Sequence, residues 1–173
     1  TFSPDMDHVA RECDFVTGRT VAHGGAGDSS VLTAYGVFQG MRAAAESVWG
    51  SASLAGRTVG VAGVGKVGRH LVGHLVDDGA DVVVTDVHGP AVDALVARYP
   101  GIRSVDSTRA LVGRALDVYA PCAMGGAITD EVVDGPSSRV WQQARNRMHA
   151  ARGLWAWMLG EAAEPAAGGG GAT

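Results

Sequence analysis

The chain has 173 residues, 46% of them apolar and 18% charged, with a formal net charge of -4. That composition fits a globular protein with one good core, and it excludes a disordered chain or a basic surface for nucleic acid. No apolar run approaches the ~20 residues of a bilayer span, no secretory signal is visible at "TFSPDMDHVAREC", and the two cysteines form neither a disulfide framework nor a metal spacing, so the expectation is a reduced, cytoplasmic chain.

In chain order, "DMDHVARECD" (5–14) predicts a short helix opened by Pro4, with Asp5 and Asp7 as acids at its start. "GRTVAHGGAGDSS" (18–30) reads as a glycine-rich loop, in which Asp28, Ser29 and Ser30 offer N-caps for a helix over 30–48. The stripe Val31, Tyr35, Phe38, Met41, Ala45 and Val48 gives that helix its expected buried face. "GSASLAGR" (50–57) is a turn-rich linker. The pattern then alternates: strand "TVGVAG" from Thr58, helix 66–78, strand "DVVVTD" (81–86), helix 89–99, a weak strand "IRSV" (102–105), a short helix 107–114 and strand "LDVYAPC" (116–122). Strands alternating with helices predict an α/β fold, a Rossmann-like parallel sheet wrapped by helices and, with about four strands against six, an incomplete one.

From about Arg139 the rhythm fails. The last stretch holds three of the four tryptophans and runs into an Ala/Gly tail. Val140, Trp141, Ala144, Met148, Ala151, Trp155 and Met158 could line one helix face, and 162–173 is expected to be disordered. The expected divisions are a helical lead-in (1–49), a cofactor-binding domain (50–140) and a divergent helix and tail (141–173). Thirteen arginines against one lysine, with 26 glycines, suggest a GC-biased gene.

The chemistry concentrates in Gly63-Val64-Gly65-Lys66-Val67-Gly68, which fits G-x-G-x-x-G between a strand and a helix. Gly63 permits the tight turn, Gly65 lets a pyrophosphate approach the backbone, and Gly68 lets the helix pack on the strand. The pyrophosphate would sit on the N–H groups at the helix start. Asp86, ending the next strand 23 residues after Gly63, would accept hydrogen bonds from an adenosine ribose and repel a 2′-phosphate, so NAD is expected over NADP. The bland alternative is a glycine turn with nothing bound. His70 and His74, one turn apart, could hold a metal but lack a third ligand, and no metal is expected. Cys122 reads as a small buried side chain at a strand end facing the cofactor crevice, more than as a nucleophile. Arg11 and Arg19 could bind an anion, although a solvated face is the plainer reading.

"HGGAGDSSVLTAYGVFQGMRAA", "GVAGVGKVGRHL", "VVVTD" and "DVYAPCAMGG" resemble, in order and spacing, the NAD-dependent leucine, valine and phenylalanine dehydrogenases, relatives of glutamate dehydrogenase, and in particular the actinobacterial valine and phenylalanine types. The resemblance runs from Thr1 to about Val140. It implies oxidative deamination of an L-amino acid to the 2-oxo acid and ammonia, with hydride passing to NAD in a homo-oligomeric parent enzyme whose partners are NAD and a small amino acid. It also implies site roles: Ser29 and Thr33 near the nicotinamide, Gly63, Gly65, Lys66, Val67 and Gly68 at the pyrophosphate, Asp86 at the adenosine ribose, and Cys122 and Ala123 by the nicotinamide ribose. The family's chemistry uses two lysines and an aspartate from a substrate domain. The single lysine here, Lys66, lies in the turn, so no catalytic residue is assigned and the chain is expected to be inactive alone. The family's asparagine motifs after the "APCAMGG" strand are replaced by "RVWQQARNRMHAARGLWAW", which suggests a shifted reading frame or interrupted gene, a divergent terminus being the alternative. A non-catalytic NAD-binding module and an unrelated Rossmann dehydrogenase stand as competing readings.

Overall fold

The computed structural model describes residues 2–123, 130–136, 138, 141, 142, 145, 148 and 152. They fall in two units, Thr1–Ala127 and Ile128–Thr173.

The first unit is built on a fully parallel four-stranded sheet in the order β3-β2-β1-β4: β1 is Thr58–Ala62, β2 Asp81–Thr85, β3 Arg103–Ser104 and β4 Val118–Pro121. "TVGVA" and "DVVVT" are near-continuous apolar runs because helices cover both faces of these central strands. Side chains alternate between the two sides. Val59, Val61, Val82 and Val84 enter the larger core with Leu71, Val72 and Leu75, while Ala62 and Val83 meet Leu111 on the other face. Gly60 is required on that second face, where a Cβ would stand 2.5 Å from Leu116 Cδ1.

Six α-helices accompany the sheet among the described residues: α1 Ser3–Val9, α2 Ser30–Trp49, α3 Lys66–Asp77, α4 Gly89–Arg98, α5 Thr108–Val112 and, in the second unit, α6 Asp130–Val133. α3 and α4 are the crossovers of β1-α3-β2 and β2-α4-β3. After β3 the chain returns through α5 to lay β4 on the opposite side of β1. The strand order therefore reverses between β1 and β4, and in open α/β sheets the crevice beyond the carboxyl ends of such strands is where ligands bind.

Several expectations need correction. The first helix ends at Val9, not Asp14: 3₁₀-type bonds from Arg11 N–H to His8 O and Glu12 N–H to Val9 O tighten its last turn, and Arg11 to Asp14 are exposed, with no core to hold a further turn. The buried face of α2 is Ser30, Ala34, Phe38 and Ala45, with Met41 packed against them; Val31, Tyr35 and Val48 are about half exposed or more, at 46%, 50% and 61%. Apolar side chains ring so much of α2 that spacing alone does not select the face. Small residues do, because Ala34 and Ala45 let α2 lie close on α3. The weak third strand is only two residues long, and the fourth starts at Val118.

In the second unit the Trp141 indole N–H donates to Asp134 Oδ1 at 3.2 Å, and Trp141 and Met148 are exposed. Val140, Ala144, Ala151, Trp155, Met158 and the 162–173 tail lie outside the described residues.

Candidate cofactor site at the switch point

β1 ends at Ala62, and the next three residues, Gly63 to Gly65, turn the chain into α3. Gly63 has φ +97°, open to glycine and strained for other residues, and a Cβ there would stand 2.6 Å from Ala123 N and 2.7 Å from the Cys122 carbonyl carbon. The turn and the end of β4 thus pass each other backbone to backbone. Two short bonds fix the level at which they do so: Gly63 N–H to Thr85 O and Cys122 N–H to Ala62 O, both 2.7 Å. At Gly68 a Cβ would run into the Gly63 carbonyl, so α3 packs directly on the turn. Gly65 is the opposite case. It is exposed, it caps α3, and nothing lies within 4 Å of where its Cβ would be.

Close packing at Gly63 and Gly68 with open space at Gly65 is the distribution a pyrophosphate cradle requires. A group approaching Gly65 meets backbone, and it meets the positive end of the 12-residue α3, whose first-turn N–H groups at Val67 and Gly68 have no partner within the helix. Lys66 is half-buried, its ammonium 4.0 Å from the Phe2 ring centroid. The residues present therefore fit a dinucleotide.

Asp86 stands one residue past β2, half-buried. Its Oδ2 accepts the Val64 N–H at 2.7 Å and its Oδ1 accepts the His88 N–H at 2.8 Å. The carboxylate braces the glycine turn, a duty that sequence spacing did not reveal. A carboxylate has about four acceptor positions, so two remain for ribose hydroxyls.

Ser29 is the N-cap of α2, and its carbonyl accepts both the Thr33 N–H and the Thr33 hydroxyl, each at 2.9 Å. Thr33 is exposed on the first turn of α2. The N-cap's work is done by Asp28, whose Oδ1 accepts the Ser30 N–H at 3.0 Å. The Ser30 amide holds the Asp28 carboxyl below its usual range, and the Lys66 and Arg69 charges of α3 act in the same direction. Through Asp28 the starts of α2 and α3 share one electrostatic neighbourhood.

Cys122 is half-buried with its Cβ 3.4 Å from the position a Gly68 Cβ would take, and Ala123 is exposed beside it. Burial pushes the Cys122 thiol pKa up, which disfavours the thiolate a nucleophile needs. With the native protein at neutral pH, iodoacetamide is expected to label exposed Cys13 well before Cys122; equal labelling rates, read by mass spectrometry, would show that Cys122 is reactive.

Three further candidates, His74, Asp5 and Asp7, serve the packing and the local hydrogen bonding of the fold. His74 stacks on Phe38 with ring centroids 5.4 Å apart and meets Tyr35 edge-on at 5.6 Å, so it serves the α2–α3 contact. Asp5 accepts the Phe2 N–H as a helix-start acid does, but Asp7 turns away to Thr20 and His23.

Residues 58–148 match the NAD binding domain of 6-phosphogluconate dehydrogenase. Valine dehydrogenase of Streptomyces virginiae is 56% identical over 155 residues, 89% of this chain and 43% of that protein. Leucine dehydrogenase of Bacillus subtilis is 41% identical over 142 residues, 82% of this chain and 38% of its own length. Among solved structures, L-tryptophan dehydrogenase from Nostoc punctiforme superposes with a TM-score of 0.59 at 30% identity, covering 78% of this chain and 37% of that one. The chain spans less than half the length of these relatives.

Proposed function

The chain belongs, through residues 58–148, to this NAD-binding domain family and is a homologue of the valine, leucine and phenylalanine dehydrogenases; from that premise we propose that it is the cofactor-binding part of an enzyme that oxidatively deaminates a branched-chain or aromatic L-amino acid. The observation that carries the reading is the turn itself, packed tight at Gly63 and Gly68, open at Gly65 and braced by Asp86.

When bound, NAD supplies the hydride acceptor. This chain's residues hold and orient it. Gly65 and the first-turn N–H groups of Lys66, Val67 and Gly68 take the pyrophosphate, and Asp86 takes the adenosine ribose with the acceptor positions its backbone bonds leave over. Ser29 and Thr33 stand at the nicotinamide. The Thr33 hydroxyl spends its proton on the Ser29 carbonyl, so its oxygen is left to accept from the carboxamide. Cys122 and Ala123 line the side toward the nicotinamide ribose, the protonated thiol giving a small apolar wall. In this reading residues 1–49 lead in from the substrate side and 50–140 form the core of the cofactor domain, with the family match running on to 148; the working enzyme is homo-oligomeric.

No group among the 173 residues is assigned to move the substrate's proton. The single lysine lies over Phe2 in the cofactor turn, whereas general-base help alone contributes about 10²–10⁴-fold in rate. That one lysine also favours a second reading, a non-catalytic NAD-binding module. One assay separates the two, following NADH absorbance with valine, leucine or phenylalanine, first with the chain alone and then with a separately expressed substrate domain from a related enzyme. Silence alone and turnover on mixing is the expected result. Silence in both leaves the module, and turnover by the chain alone would contradict the lysine argument.

A further inference from the structure

Arg11 and Arg19, eight residues apart in sequence, meet in one cleft of about 320 Å³, lined by Pro4, Asp7, His8, Ala10, Arg11, Arg19 and His23. The single carboxylate there is already committed. Asp7 Oδ1 accepts the Thr20 N–H at 3.0 Å, and Oδ2 accepts the Thr20 hydroxyl at 2.7 Å and lies 3.1 Å from His23 Nδ1. Burial acts to raise the Asp7 pKa, but the Thr20 hydroxyl and amide, with the His23 and Arg19 charges, outweigh it and hold the carboxyl below its usual range.

The two guanidiniums are less well served. Arg19 Nε is sealed from solvent and its nearest acid, Asp7 Oδ1, is 3.8 Å away, an ion-pair distance too long for a hydrogen bond. Arg11 is exposed, and its guanidinium has no hydrogen-bond or ion-pair partner among the described residues. Nor is the position of Arg19 casual. The Gly27 N–H donates to the Arg19 carbonyl at 2.9 Å, Gly24 and Gly27 take positive φ, and a Cβ on Gly25 would run into the Arg19 backbone. The glycine-rich loop folds over this arginine and fixes its backbone and buried Nε, while the side chain as a whole stays 37% exposed and can meet a group in the cleft.

We propose that this cleft is a binding site for a small oxyanion, a carboxylate or phosphate group of a small metabolite, held between the Arg11 and Arg19 guanidiniums. Planar guanidinium forks match carboxylate and phosphate oxygens in two-pronged pairs, and the volume is at the small end of ligand clefts. The site is separate from the Gly63–Gly68 turn, and it does not depend on the proposed amino-acid chemistry.

The test is an NMR titration of the full chain at constant ionic strength, once with sodium phosphate and once with sodium malonate. Expected are saturable shifts of the Arg19, His23 and Gly25 amides at millimolar anion, weakened about tenfold in Arg11→Gln and in Arg19→Gln. Arg11 lies on the surface, so its variant keeps the fold even if Arg19→Gln loosens the loop. A response to phosphate alone or to malonate alone assigns the ligand's group and supports the site. Shifts confined to Gly63–Gly68, shifts indifferent to Arg11→Gln, or no saturation with either anion would overturn it.

Discussion

Gly68→Ala is expected to lower stability by on the order of 3 kcal/mol, and Gly65→Trp to leave it almost unchanged, although both replace a glycine of the same motif. At Gly68 the added methyl would collide with the Gly63 carbonyl, a backbone atom that moves only if α3 lifts from the sheet. Overpacking of a tight contact costs about 1–3 kcal/mol, more where rigid backbone is the obstacle. Gly63→Ala meets the same fate by another route, since φ +97° adds strain of about 1–3 kcal/mol to a 2.6 Å approach on Ala123 N. Gly65 has no atom within 4 Å of its Cβ position and an ordinary φ of -68°, so the indole stands in open space. It fills the place where a pyrophosphate would lie. Thermal melts with calorimetric NAD titrations check the contrast: destabilised chains for the first two, a normal melt with no NAD binding for the third. A Gly65→Trp chain that binds NAD normally would detach the cofactor from this turn.

Asp86→Ser should weaken NAD binding and narrow the preference over NADP. A carboxylate–ribose hydrogen bond is worth about 1.5–3 kcal/mol, roughly ten- to hundredfold in affinity, and removing the charge removes the repulsion of a 2′-phosphate. The brace complicates the substitution, because the Val64 and His88 N–H groups lose their acceptor as well. Asp86→Asn separates the effects: it keeps one side-chain oxygen for the backbone and removes the charge. The expected order of NAD affinity is native, then Asn, then Ser, with discrimination against NADP narrowed in both variants. Unchanged discrimination in Asp86→Asn would place the specificity elsewhere.

How much of this was legible beforehand follows from which forces are local. The sheet was readable because the apolar runs at 58–62 and 81–85 can be satisfied only in a sheet covered on both faces. The glycine turn was readable because its demands fall on residues adjacent in sequence. The face of α2 was not, since Val31 and Tyr35 fall on the same helical spacing as Phe38 and the choice rests with α3. The brace from Asp86 to Val64 spans 22 residues and the approach of Ala123 to Gly63 spans 60; each depends on register between strands, which residue spacing does not encode. Asp7 illustrates the same limit, since an acid in a helix's first turns looks like a dipole partner until the loop brings Thr20 and His23 onto it.

The central claim is that the crevice between β1 and β4 holds NAD on the Gly63–Gly68 turn with Asp86 selecting it. Calorimetric titration of the chain with NAD, then NADP, then NAD against Gly65→Trp tests it most directly. The account predicts saturable NAD binding, at least tenfold weaker NADP binding from the Asp86 charge, and no binding to the folded Gly65→Trp chain. Equal affinity for the two nucleotides, or no NAD binding by a folded native chain, would contradict it.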